Sequence, residues 1–155
     1  MEDQRKSDQL KTDLDKVRSY LEQGYSVAAV KDGLLVSARE GTGIKPFLEL
    51  VEEAGDRMRG AALADKIIGR TVAMACVDLG VESVYAGVIS EAAEAELKRF
   101  GVPFEYGRKV PRILNRDRSG LCPTEVLVDE AASPEEALPA MKRFVDGMKK
   151  AINRG

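Results

Sequence analysis

Histidine and tryptophan are both absent from the 155 residues, and cysteine occurs only at positions 76 and 122. Without histidine there is no imidazole base for a catalytic triad and no imidazole ligand for zinc. Two cysteines far apart cannot supply the roughly three N/S ligands that hold zinc while leaving a place for water, so no metal or other cofactor is expected. A disulfide between them is not expected in a reducing compartment. Aromatic residues make up 5% of the chain, and none interleaves the cations Arg108, Lys109, Arg112, Arg116 and Arg118, which weighs against an RNA-binding surface built on stacking platforms. No apolar run approaches the ~20 residues that cross a bilayer, and the opening MEDQRKSDQL has no apolar core of the signal-peptide kind. These absences lead to the expectation of a soluble, cytoplasmic protein with no membrane partner. Charge of one sign is lacking as well: 24 Lys+Arg stand against 26 Asp+Glu, for a net charge of −2. No whole-molecule field draws the protein to nucleic acid.

Hydrophobic residues make up 44% of the sequence, enough for one core at this length. The expected organisation is a single domain over residues 1–155, with a core over about 8–128 and a C-terminal helix over about 134–152. Leu10, Leu14, Val17 and Leu21 recur at helical spacing and predict a helix from Ser7 to Gln23. Tyr25 to Val30 and Leu34 to Ala38 read as two strands joined by the hairpin signal Asp32-Gly33. Lys45-Pro46 opens a helix whose apolar face is Phe47, Leu48, Leu50, Val51 and Ala54. From Ile67 to Leu79 the sequence is apolar all round apart from Arg70 and Asp78, which predicts a buried helix with Asp65 at its N-cap and Gly80 after its end. Val81 to Ala86 follows as a buried strand. Ser90 caps a helix through Phe100, and Val102 to Tyr106 is a strand that Pro103 confines to an edge or to its first pairing position. Gly107 to Gly120 reads as basic and irregular. Cys122-Pro123-Thr124-Glu125 looks like a helix start, as does Ser133-Pro134-Glu135-Glu136. Residues 1–7 and 150–155 are expected to be loose. A hairpin followed by alternating helices and strands predicts an α/β fold.

Several words along this order carry a resemblance: Ala64-Asp65-Lys66, Val88-Ile89-Ser90-Glu91, Val110-Pro111, Asn115-Arg116, and Gly120-Leu121-Cys122-Pro123 with Glu125. Over residues 25–125 the chain resembles a small prokaryotic family known as a domain of unknown function, whose fold is similar to cytidine deaminase. The resemblance implies a three-layer sandwich with a mixed sheet. It also places the fold's usual site at helix N-termini beside the sheet edge. Working deaminases carry a His or Cys with a catalytic Glu at one helix start and Pro-Cys-x-x-Cys at the next. Here those places read Ala64-Asp65-Lys66 and Ile89-Ser90-Glu91-Ala92, so zinc-dependent deamination is rejected.

The candidate catalytic residues are Cys122, Lys66 and Asp65. A cation at a helix start opposes the dipole, so Lys66 is expected either to reach solvent or to face Asp65 or a bound anion. Such a Lys–Asp pair is able to move protons. Asp65 has the plainer alternative of a simple cap. Cys122, at a predicted N-cap after a basic loop, is placed to favour thiolate. Its plainer alternative is a small buried residue, the role expected of Cys76. Ser90, Asn115, Arg116 and Glu125 are the candidate ligand-binding residues. Within the basic cluster of Arg108, Lys109, Arg112, Arg116 and Arg118, the resemblance singles out Arg116, while Arg108, Lys109 and Arg118 read as a solvated loop. Gly41-Thr42-Gly43 lacks the phosphate-loop spacing and reads as a connection whose N–H groups are able to help bind an anion. The leading expectation is a zinc-free domain that binds a small anionic metabolite, nucleotides included. A cysteine-dependent enzyme or persulfide carrier and a non-catalytic interaction domain are the alternatives. Self-association is left open.

Overall fold

The computed structural model describes residues 2–115, 117–129 and 131–154. Helix α1 (Glu2–Glu22) is followed by the hairpin β1 (Val27–Lys31) and β2 (Leu34–Arg39), then α2 (Lys45–Ala54) and β3 (Ala62–Ile68). Next come α3 (Arg70–Leu79), β4 (Ser83–Ser90), α4 (Glu91–Arg99) and β5 (Phe104–Val110). The short α5 (Pro123–Val126) and the long α6 (Ala137–Arg154) close the chain. The five strands form one sheet in the order β2-β1-β3-β4-β5. β1 runs antiparallel to β2 and β3, whereas β3, β4 and β5 are parallel. The sheet is therefore mixed, with α3 and α4 as its crossovers.

Asp32 and Gly33 both take positive φ, 51° and 79°, as the tight hairpin requires. That turn is tied to α1: buried Asp13 accepts hydrogen bonds from Gly33 N (2.9 Å) and Gln9 Nε2 (2.8 Å). On its apolar side α1 sets Leu14 and Val17 against Ala28, Val30, Ala62, Ala64 and Tyr85. The opposite face of the sheet, carrying Val27, Leu63 and Val84, packs against α2, α3 and α6, and Leu97 of α4 joins the same core. The result is a three-layer α/β sandwich.

The helix expected from Ile67 is the main correction. Its first residues belong to β3, which begins at Ala62 and sits in the middle of the sheet, and α3 starts only at Arg70. A short apolar run buried on both sides does not distinguish a strand from a helix by periodicity. The all-round apolar character was real, since Arg70 through Cys76 are all buried. Asp65 is consequently no helix cap, and Lys66 sits on a strand rather than in a first helical turn. Gly107 to Val110, expected to be irregular, extend β5, which does lie at the sheet edge. The ends expected to be loose are helical within the described residues, from Glu2 and up to Arg154.

One irregularity crosses the sheet. The β3–β4 pairing passes from Asp65↔Ala86 to Ile67↔Val88, and the β4–β5 pairing from Ala86↔Tyr106 to Val88↔Arg108. At this level side-chain alternation slips by one residue. Leu63 and Ile68 share one core, as do Ala86 and Ile89, while Ala62 and Ala64 belong to the other. A Cβ on Gly87 would stand 2.7 Å from the Lys66 carbonyl oxygen, so the seam closes only around glycine.

A candidate ligand site at the strand tips

Asp65 and Lys66 end the regular part of β3, next to the loop that leads into α2. The Lys66 N–H donates to Ser26 O (3.0 Å), and Ser26 Oγ donates to Gly41 O (2.6 Å), which holds the 41–44 loop beside the strand tip. From the other side, residues 113–115 and 120–122 pair back on each other through a Leu114↔Leu121 bridge. The bonds Cys122 N to Ile113 O and Asn115 N to Gly120 O, both 2.9 Å, secure that fold-back. Between these segments lies a hollow of about 360 Å³ lined by Asp65, Lys66, Asn115 and Cys122, with Thr42 and Gly43 opposite. Four of the candidate residues thus share one space.

Asp65 is partly buried overall, and its Oδ1 accepts from Ile67 N at 3.3 Å. Burial pushes its pKa up to about 8, against the smaller opposing effects of the Ile67 and Lys66 N–H groups and the Lys66 charge. At neutral pH it is mainly a neutral acid, able to donate a hydrogen bond and not repelling an anion. Burial also pushes the Cys76 thiol up, with the Asp65 charge adding to the effect. Cys76 is fully enclosed in α3. Lys66 is exposed and Cys122 is partly buried.

Ser90 and Glu125 are not in the hollow. They form a buried junction that caps two helices at once. Glu125 Oε1 accepts from Arg70 N at 2.9 Å and Ser90 Oγ at 2.5 Å, and its Oε2 accepts from Ile113 N at 3.3 Å. Ser90 Oγ accepts from Ala93 N (3.1 Å), and Thr124 Oγ1 accepts from Gly69 N (2.9 Å). Helix starts leave N–H groups in need of acceptors and favour negative charge; here α5 supplies both to α3, and with Ser90 to α4. The contact is so close that a Cβ on Gly69 would meet Glu125 Oε1 at 2.5 Å. The helix starts expected to frame a pocket are therefore filled by the chain's own carboxylate, and the hollow lies beside them.

Arg116 lies outside the described residues. Lys109 reaches Glu94 at 3.3 Å, while Arg108, Arg112 and Arg118 are exposed. None of these four lines the hollow. Sequence reasoning missed a second hollow, of about 460 Å³, on the far side of Asn115 and Cys122. Its wall includes Phe144, Val145, Met148 and Lys149 of α6. Their helical spacing was legible, but which neighbour their face met was not. The zinc implied by a deaminase-like fold does not fit this donor set. Histidine is absent, Cys76 is sealed in the core, and among the described residues no three Cys, Asp or Glu side chains come together as ligands.

The family model described as "Domain of unknown function (DUF1893)" matches residues 16–145. The chain belongs to the DUF1893 family. A crystal structure of a DUF1893 family protein from Thermotoga maritima is similar to it, with a TM-score of 0.74 and 27% identity over 84% of this chain and 87% of that one. Acinetobacter baumannii RibD is similar at a TM-score of 0.46 and 20% identity, over 63% of this chain and 36% of RibD. This DUF1893 chain thus spans about a third of RibD's length. A structure from work on tRNA:A34 deaminases has a TM-score of 0.43 and 16% identity, over 65% of this chain and 92% of that one. No curated protein matches the sequence.

Proposed function

We propose that this DUF1893 protein binds a small anionic metabolite in the hollow at the strand tips. The observation that carries the reading is the convergence of Asp65, Lys66, Asn115 and Cys122, from three separate stretches of chain, on one space of about 360 Å³. Lys66 supplies the charge, the loop at Thr42 and Gly43 supplies peptide groups at the wall, and Asp65 is mainly protonated at neutral pH. Apolar Ile67, Val72 and Ile113 complete the lining, the usual mixture of a small-molecule site. The test is a thermal-shift screen with inorganic phosphate, phosphorylated sugars and nucleoside monophosphates on the wild type and Lys66→Ala. Stabilisation of the wild type by at least one anion, largely lost in Lys66→Ala, is expected. Equal shifts in both proteins, or none in either, would overturn the reading.

A second reading is thiol chemistry at Cys122. It is favoured by Cys122 and Asp65 lining the same hollow, where the Asp65 carboxyl, its pKa pushed up to about 8, carries a proton that it is able to give up near neutrality.

A further inference from the structure

The two hollows are not independent. Thr42, Gly43, Ile44, Asn115 and Cys122 line both, so the inner space beside Lys66 and the outer space beneath α6 meet along a common wall. Their characters differ. The inner one has Asp65, Lys66 and Ser26 at its edge. The outer one is walled by Phe144, Val145, Met148 and Pro123, with Lys45 and Lys149 as its charged groups and no carboxylate among its lining residues. α6 buries Leu138 and Met141 in the main core, and Phe144 and Val145 pack against that core only in part. Met148, one turn further on, is 50% exposed. The apolar face of α6 thus continues past the core and over the outer hollow.

Building on the proposed anion site, we infer that its ligand is an amphipathic acid. An anionic head lies beside Lys66, and a hydrocarbon or aryl body extends past Cys122 into the outer hollow under Phe144 and Met148. Three lysines flank the path, which suits a negative ligand and no cationic one. A nucleobase would set its ring N–H and carbonyl groups against walls that offer them few partners, a cost that a hydrocarbon does not meet. A third cavity, between 126–129 and 135–143, carries Asp129, Glu135 and Glu136 against Arg143 and does not suit an acid.

The test is calorimetric titration with acetate, hexanoate and decanoate, with inorganic phosphate and AMP as references. The wild type, Lys66→Ala and Met148→Glu are compared; position 148 is half-exposed, so a charge there is compatible with folding. Burial of each methylene should lower Kd by about fourfold until the outer hollow is filled. Met148→Glu should flatten this chain-length dependence while leaving phosphate binding intact, and Lys66→Ala should weaken every acid. Phosphate binding that depends on Lys66, without any gain from acetate to decanoate or with AMP tighter than decanoate, overturns the amphipathic ligand and leaves the anion site standing. A length dependence unchanged in Met148→Glu also overturns it. Absence of all anion binding removes the site itself.

Discussion

Replacing Glu125 with alanine withdraws one carboxylate from three donors: the Arg70 N–H, the Ser90 hydroxyl and the Ile113 N–H. Glu125 is 8% exposed and Ser90 is fully buried, so water has little access to the groups left behind. A buried donor without an acceptor costs about 1–3 kcal/mol. Against two or three such losses stands the relief of no longer holding a charge in the interior. The net destabilisation should be roughly 3–5 kcal/mol, a large part of the ~5–15 kcal/mol that holds a typical domain together. Glu125→Gln keeps one acceptor oxygen but turns an amide N–H₂ towards donors, and should cost about 1–2 kcal/mol. The assay is urea unfolding followed by circular dichroism, with hydrogen exchange at Arg70 and Ala93 as a local readout. The midpoint should fall at constant m-value, and both amides should exchange faster. If alanine costs less than about 1 kcal/mol and neither amide changes, the carboxylate does not hold the starts of α3 and α4, and the capping argument fails.

Asp65 provides a pH signature. Its folded pKa of about 8 lies above the ordinary 3.8, so the folded state holds a proton that the unfolded chain has released. Wild-type stability should therefore drain away as pH rises between these values. Asp65→Asn cannot lose that proton and should gain in Tm relative to wild type from pH 5 to 8, with no gap near pH 4; a constant gap would refute the assignment. The two thiols should separate in alkylation by iodoacetamide followed by mass spectrometry. Cys122 should react in the native protein while sealed Cys76 reacts only on unfolding, and any anion that raises Tm should protect Cys122. If Cys122 reacts no faster at pH 7 than a free thiol with a pKa of about 8.5, the thiol-chemistry reading is removed and the ligand site remains.

The elements whose sequences carried their own punctuation were legible. Asp32-Gly33 gave the hairpin, Pro46 the start of α2, and Ser90 with its acids the start of α4, each through a local hydrogen-bonding or φ requirement. Pro103 correctly marked an edge strand. β3 was not legible, because Ala62–Ile68 owes its conformation to pairing with β1 and β4 rather than to local preference. The error carried into the site: Asp65 and Lys66 were chosen for a helix start they do not occupy, and it is the strand tip that brings them to Cys122. Ser90 and Glu125 were rightly seen as helix-start residues. Their direct bond, which uses up both, was invisible because 35 positions separate them. The outer hollow escaped notice for the same reason, since α6 meets the 41–45 loop only in the folded chain.

The slip in alternation at Lys66 and Gly87 has a consequence for engineering. Beyond that line, odd and even positions exchange sides in β3 and β4 together, so a motif grafted onto these tips lands correctly only if its numbering is phased from Gly87. Counting from the base of the strand would turn every transplanted side chain to the wrong layer.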